Sequence, residues 1–238
     1  MTSGAFSPVQ KNPDLLLVDT DSLLQLLIAG EMRLLRFLKK RFRIQPAVVE
    51  AVEAEVRKSK KFRAQFTKEL QKAIDNETVL VIDSRTIPAF VSRSPAAVFD
   101  AIQTNGLDYE QRGLDYGEAY TFAAGVALDV PVISNDMNAI LTAQRRGIRL
   151  PRYLLRTYDL IVLSHQIGDL TAGDCDAIRQ TLLQRNEFVP AAFERSSFVN
   201  GLGKFYPRLL DSSKQSIGSG VQLTEFDVCL TIAPHSGS

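Results

Sequence analysis

Short apolar runs alternate with longer amphipathic segments along this chain. The runs are of a length that suits buried parallel strands, and they lie at 15–18, 79–82 and 130–133. Between them, apolar residues recur every three or four positions, which predicts helices over 22–28, 32–40, 46–58, 116–128 and 136–146. This alternation predicts an α/β fold, a three-layer sandwich in which a central, mainly parallel sheet is flanked by helices.

Two regions fit the alternation less well. Pro46 suits the first turn of the helix over 46–58, which leaves a short strand at 42–44 in front of it. Residues 84–112 contain proline and glycine residues at irregular intervals. We therefore predict a mostly irregular insertion over 84–112, with room for one helix.

The C-terminal part of the chain has its own pattern. Two helices are predicted between residues 154 and 185, separated by Gly-Asp-Leu-Thr at 168–171. After residue 211, Ser, Gly and Gln become frequent. We therefore divide the chain into a main domain, a C-terminal helical extension and a tail of unknown structure, with bounds at 13–160, 161–211 and 212–238.

Composition excludes several classes of protein. The 238 residues include 28 Lys or Arg and 27 Asp or Glu, and the apolar share of 45% is ordinary for a globular protein. Two cysteines and two histidines are too few for a Cys/His zinc cluster and argue against a disulfide framework. No apolar run approaches the ~18 residues of a membrane span, and the first residues lack the layout of a secretory signal. We expect a cytoplasmic protein with no membrane partner.

Charge is distributed unevenly. Residues 31–72 contain 13 Lys or Arg and 5 Asp or Glu, whereas residues 100–136 contain 7 Asp or Glu and one Arg. Two solvated helical faces would explain this pattern. A phosphate-binding surface beside a cation-binding pocket would explain it equally well.

Three acidic residues occupy positions where a site is expected. Asp19 directly follows the first predicted strand, Asp136 follows another, and Glu118 begins a helix on its apolar side. Each has a simpler explanation, because aspartates cap helices and a glutamate in a first turn favours the helix dipole. If the two strands are neighbours, however, these carboxylates meet at one edge of the sheet. Clustered carboxylates bind hard cations, and oxygen-only ligands favour Mg²⁺ or Mn²⁺.

The chain contains three notable stretches: LLLVDTDSLL at 15–24, YGEAYTFAAG at 116–125 and VPVISNDMNAILTAQRRGI at 130–148. Taken together, these stretches resemble the PIN-domain family of metal-dependent ribonucleases. The family usually has Asp-Thr-Asn after its first strand, so Asp21 replaces an amide here. Its Gly-Glu-Ala helix start matches Gly117-Glu118-Ala119. Its helical Val-x-x-Glu-Leu sequence best matches residues 52–56, which selects Glu55.

The resemblance implies a ribonuclease in which four acids bind one or two Mg²⁺ or Mn²⁺ ions and activate a water for attack on an RNA phosphodiester. The implied metal-binding and catalytic residues are Asp19, Glu55, Glu118 and Asp136, with Glu53 and Asp21 in reserve. Basic residues that follow the Glu55 helix would bind the RNA backbone, namely Arg57, Lys58, Lys60, Lys61 and Arg63. Because many members of the family are toxins, an antitoxin protein is a candidate partner. A second copy of the chain is another candidate partner that the resemblance implies.

Two other functions remain open at this point. The Asp19-Thr20-Asp21 sequence also resembles the opening of haloacid-dehalogenase-type phosphatases, in which the first aspartate is a nucleophile and the second a general acid. The chain could also be a non-catalytic PIN-like module that binds RNA or a protein. The replacement of the amide by Asp21 and the 84–112 insertion are compatible with that alternative.

Overall fold

The computed structural model describes residues 15–42, 44–58, 65–87, 94–151, 154–166, 168–187, 189–194 and 197–200. The predicted tail over 212–238 and the predicted RNA-binding residues Lys60, Lys61 and Arg63 lie outside the described residues. The strands are β1 (Leu15–Val18), β2 (Gln45–Val49), β3 (Leu80–Ile82), β4 (Val132–Ile133) and β5 (Leu154–Leu155). The helices before β4 are α1 (Thr20–Ile28), α2 (Met32–Phe37), α3 (Glu50–Lys58), α4 (Gln65–Asp75), α5 (Pro95–Gln111) and α6 (Tyr116–Leu128), and a π-helical turn (Leu38–Phe42) follows α2. Those after β4 are α7 (Met137–Arg145), α8 (Thr157–Gln166), α9 (Ala172–Gln184) and α10 (Ala191–Glu194).

The strands form one all-parallel sheet in the order β3-β2-β1-β4-β5, which confirms the predicted α/β sandwich. The chain runs outward from β1 to β3, returns to the other side of β1, and continues to β5. On the returning connection, α6 contacts β1, β2 and β4, whereas α1 on the outward connection contacts α4, α8 and α9. The helix α3 contacts both α1 and α6.

β1 is the central strand of the sheet, and its sequence is entirely apolar. All four of its residues are buried, because helices cover both faces of a parallel sheet and leave no side for polar groups. The connections that follow β1 and β4 leave in opposite directions, which opens a crevice at the carboxyl ends of these two strands. There the Asp19 N–H donates to the Ile133 carbonyl at 3.0 Å, so the segments after β1 and β4 lie side by side.

The predictions around Pro46 are wrong. Pro46 does not start a helix but pairs with Leu16 as the second residue of β2, and α3 begins only at Glu50. The predicted strand at 42–44 is likewise displaced, since Phe42 ends the π-helical turn. Proline is tolerated at this point because it lies near the start of β2, before the pairing with β3 begins at Ala47.

The 84–112 segment is more helical than predicted. Its main element is α5, 17 residues long, with Pro95 in its first turn, where a missing N–H costs nothing. Gly106 lies in the interior of α5 because a β-carbon there would be 2.7 Å from the ring of Tyr120 on α6. The glycine therefore marks a close helix contact rather than a loop. Within the described ranges, no helix, α5 included, combines the length and apolar character needed to cross a membrane.

The boundary predicted at residue 160 falls inside α8. Leu160 and Ile161 are buried in the same core as β1, and α8 contacts α1 and α2. The start of the C-terminal helical extension is therefore packed against the main domain and shares its core.

We expect Gly106→Ala to destabilise the protein by up to about 2 kcal/mol. Overpacking against Tyr120 costs roughly 1–3 kcal/mol, which outweighs the ~1 kcal/mol gain in helix propensity. Gly173→Ala on α9 is the matched control, since a β-carbon there meets only Thr171 Oγ1 at 3.7 Å. Urea unfolding of both variants measures the effect. Equal stability of the two variants would contradict the proposed contact between α5 and α6.

Candidate functional site

Three carboxylates gather at the crevice between β1 and β4. Asp21, Glu118 and Asp136 each offer a carboxylate oxygen, and these three atoms lie within 4.8 Å of one another. We call these residues the acidic triad. Two of them were predicted as primary ligands, and Asp21 was predicted only as a reserve.

Asp136 reaches the triad as the N-cap of α7. Its Oδ1 accepts hydrogen bonds from the backbone N–H groups of Asn138 at 2.6 Å and Ala139 at 3.0 Å. These bonds fix the carboxylate and leave Oδ2 outside the cap. The cap is therefore compatible with the predicted ligand role of Asp136, since one oxygen caps a helix while the side chain belongs to the triad.

Asp19 is the N-cap of α1 and lies beneath the triad rather than in it. Its Oδ1 accepts from the Ser22 N–H at 2.8 Å, while Oδ2 is buried without a well-aligned donor among the described residues. Its exposure is 0%, and burial raises its pKa to about 6. The neighbouring hydroxyls of Ser134 and Ser22 offset part of that rise.

Asp21 stands in the first turn of α1, two residues beyond Asp19, and is exposed. Partial burial of the carboxyl group raises its pKa, and the negative charges of Asp136, Glu55 and Asp115 add to the rise. Asp21 thus lies close enough to Asp136, Glu55 and Asp115 for their charges to act on its carboxyl group.

Glu118 is the third residue of α6 and is only 8% exposed. Burial is the main cause that raises its pKa to about 9, and the charges of Asp136 and Asp19 contribute further. Near neutral pH, Glu118 therefore holds a proton when no cation is bound. The triad is strained electrostatically, which is the condition that a divalent ion relieves.

The structure separates the two candidate glutamates of α3. Glu53 forms an ion pair with Arg57 at 2.7 Å, on the exposed side of the helix. Glu55 accepts a hydrogen bond from the Gly117 N–H at 2.9 Å and another from the Thr20 hydroxyl. Glu55 therefore adjoins the site but is not a member of the triad.

The predicted RNA-binding residues are described only in part. Arg57 is neutralised by Glu53 and also donates to the Gln71 side chain. Lys58 is exposed and pairs with no acidic group among the described residues.

Sequence reasoning missed two residues near the triad. Asp115 precedes α6, and its charge contributes to the raised pKa of both Asp21 and Glu118. The position of Asp115 just before a predicted helix was the signal that could have found it.

The second residue is Asn135. Its side chain donates to the Gln25 side chain at 3.0 Å and to the Thr157 hydroxyl at 2.7 Å, and it accepts from the Thr157 N–H at 2.9 Å. Asn135 thus fixes the segment before Asp136 to α1 and to the start of α8.

The residues present fit a hard divalent cation. The donors of the triad are carboxylate oxygens only, the set that suits Mg²⁺ or Mn²⁺ better than zinc. The raised pKa of Glu118 and the buried Asp19 Oδ2, which has no well-aligned donor among the described residues, both indicate negative charge that protein groups compensate only in part.

The pKa of Glu118 predicts how stability changes with pH when no metal is present. Above pH 4.5 an unfolded chain has lost the Glu118 proton, whereas the folded chain keeps it up to about pH 9. The folded state therefore binds more protons, and the free energy of unfolding falls as pH rises, by up to about 1.4 kcal/mol per pH unit. We expect this decline between pH 6.5 and 8.5 in EDTA, measured by urea unfolding.

Glu118→Gln is the matched variant, because a glutamine stays neutral over the whole range. It should flatten the decline and be more stable than the wild type at pH 8 in EDTA. A slope unchanged by Glu118→Gln would show that this carboxyl group does not titrate as the structure indicates.

Comparisons of this chain with protein-family models, with curated proteins and with solved structures found no match. The geometry of the site and the resemblance of its motifs are therefore what point to a function.

Proposed function

We propose that this protein is a divalent-metal-dependent nuclease that hydrolyses phosphodiester bonds of RNA. The observation that carries the proposal is the acidic triad, whose three carboxylate oxygens lie within 4.8 Å at the crevice between β1 and β4. In this proposal Asp21, Glu118 and Asp136 hold Mg²⁺ or Mn²⁺, and Asp19 provides negative charge directly beneath them.

The cost of assembling the triad supports a cation. Carboxylates this close repel one another, and burial of Glu118 removes the solvent that would otherwise reduce the repulsion. Helix caps hold Asp19 and Asp136 in place despite that cost. A fold that holds acids together so firmly has its simplest explanation in a ligand of opposite charge.

A bound ion of this kind supplies Lewis-acid activation of water and charge neutralisation at a phosphodiester. The chain contributes the positions of the oxygens and the proton balance. Asp136 is oriented through its bonds to the α7 backbone, and Asp19 through its bond to Ser22. Glu118 releases its proton when positive charge arrives, so metal binding should become stronger as pH rises toward 9.

The choice of RNA rests on the resemblance to PIN-domain ribonucleases. The motifs that carry this resemblance adjoin the same crevice in the folded chain; they are Asp19-Thr20-Asp21, Gly117-Glu118 and Asn135-Asp136. The basic residues at the end of α3 favour a polyanionic substrate as well. A phosphatase that uses Asp19 as its nucleophile is less well supported, because the Asp19 side chain is 0% exposed.

Loss of a triad carboxylate should abolish the activity. We expect Mn²⁺-dependent cleavage of labelled single-stranded RNA that EDTA stops, and a decrease of at least ~10² in rate for Asp136→Asn and for Glu118→Gln. Asp129→Asn is the control: Asp129 is exposed and ends α6 in a left-handed conformation that asparagine also adopts. Cleavage that survives EDTA and both triad variants would exclude the proposal.

Calorimetric titration with Mn²⁺ separates the nuclease from the non-catalytic module. The nuclease requires that the wild type bind Mn²⁺ and that both triad variants bind it more weakly. A protein that binds RNA but no divalent ion at millimolar concentration would be the non-catalytic module instead.

Neighbouring cations on α3 should contribute unequally to RNA binding. Lys58→Gln should weaken binding and reduce the slope of log K against log salt by about 0.7, the value for one phosphate contact to a single strand. Arg57→Gln should have a smaller effect, because Glu53 already neutralises Arg57. Filter binding between 50 and 200 mM salt measures both. Equal effects would mean that RNA displaces the Glu53–Arg57 pair, and no effect would exclude this surface.

A further inference from the structure

We infer that Glu55 is a positioning residue that holds the starts of α1 and α6 together, rather than a ligand of the metal ion. The inference rests on the proposed function and refines it, because it changes which acids touch the ion. It departs from the role that the family resemblance implies for Glu55.

The contacts of Glu55 show what it joins. Its Oε1 accepts from the backbone N–H of Gly117, the second residue of α6, at 2.9 Å. Its Oε2 accepts from the hydroxyl of Thr20, the first residue of α1. We call these three residues the Glu55 bridge. Each oxygen is thus occupied by a donor from a different helix.

The positions of the two donors matter for the triad. Thr20 immediately precedes Asp21, and Gly117 immediately precedes Glu118. Asp21 and Glu118 are far apart in sequence, and among the described residues no backbone hydrogen bond between α1 and α6 sets their separation. The bridge therefore connects the backbone beside one triad carboxylate to the backbone beside another.

Gly117 is adapted to this arrangement. A β-carbon at residue 117 would collide with the Glu55 carboxylate, with Cδ at 3.0 Å, and with the Thr20 hydroxyl. Gly117 has no need of a left-handed conformation, since it lies inside a regular helix. The glycine is therefore required by the approach of Glu55.

The geometry leaves the ligand position to Asp21. Among the described residues, the oxygens that lie within 4.8 Å of one another belong to Asp21, Glu118 and Asp136, and Glu55 is not in that group. Asp21 stands where the PIN family usually has an amide. A carboxylate at residue 21 adds the negative charge that a ligand set loses when Glu55 serves as a bridge.

Paired substitutions distinguish a bridge from a ligand. Glu55→Gln keeps a carbonyl oxygen for the Gly117 N–H and an amide for Thr20, whereas Glu55→Ala removes both partners; both variants lose the same charge. A bridge predicts Mn²⁺ affinity within about fivefold of wild type for Glu55→Gln and a loss of about 10- to 100-fold for Glu55→Ala, the usual effect of removing a group that orients a ligand. Equal losses in the two variants, measured by calorimetric titration, would overturn the inference.

Gly117→Ala tests the same arrangement without removing an acid. It should weaken Mn²⁺ binding to the level of Glu55→Ala, because the added methyl group displaces the Glu55 carboxylate. Gly173→Ala, a substitution into open space on α9, should leave Mn²⁺ affinity unchanged. Wild-type affinity in Gly117→Ala would contradict the bridge.

A double-mutant cycle separates the bridge from the proposed function. Thr20→Val and Glu55→Ala are compared singly and together by urea unfolding in EDTA, so that no metal or RNA is involved. If the bridge exists, the two substitutions are coupled. Each single substitution changes the unfolding constant by a certain factor, and the factor for the double variant should be smaller than the product of the two single factors by at least about twofold. Additive effects would exclude the bridge. A wild type that binds no Mn²⁺ but shows this coupling would exclude the nuclease and retain the hydrogen-bonded connection.

Discussion

Repulsion between carboxylates at the crevice is the constraint on which the rest of this structure depends. Asp21, Glu118 and Asp136 stand within a few ångströms of one another, and Asp19 is buried beneath them. Without opposing charge such an arrangement would separate, or it would protonate; burial first, and then the charges of Asp136 and Asp19, raise the pKa of Glu118 to about 9. Asp19 and Asp136 are held against that tendency by hydrogen bonds to helix backbones.

The parallel sheet explains why the acids meet at this place. With β1 buried on both faces, polar side chains near it can lie only beyond its ends. The strand order reverses direction at β1 and β4, so the segments after these strands diverge and leave a crevice. Residues that directly follow the two strands, together with the start of α6 packed across them, supply the acidic side chains.

Much of this arrangement is visible in the sequence, and the failures have identifiable causes. The run Leu15–Val18 and the bounds of α6 are evident from hydrophobic pattern alone. Pro46 and Gly106 misled the prediction because strand pairing and helix packing permit each of them locally. That Asp21 rather than Asp19 belongs to the triad could not be predicted. Sequence spacing shows that both follow β1, but only the folded chain shows that Asp19 is turned inward by its cap while Asp21 is exposed.

Capping and metal binding are often treated as competing explanations for an aspartate after a strand. Here the caps and the proposed metal site are compatible, because a carboxylate has two oxygens. At Asp136 the backbone of α7 occupies Oδ1, which fixes the rotation of the side chain and so determines where Oδ2 lies. At Asp19 the backbone of α1 likewise occupies Oδ1, and Oδ2 is buried with no well-aligned donor among the described residues. A cap thus lowers the entropy cost of placing the second oxygen, and a cation that arrives meets oxygens already held in position. Asp136 therefore caps α7 and also belongs to the triad, whereas Asp19 caps α1 and is fully buried outside the triad.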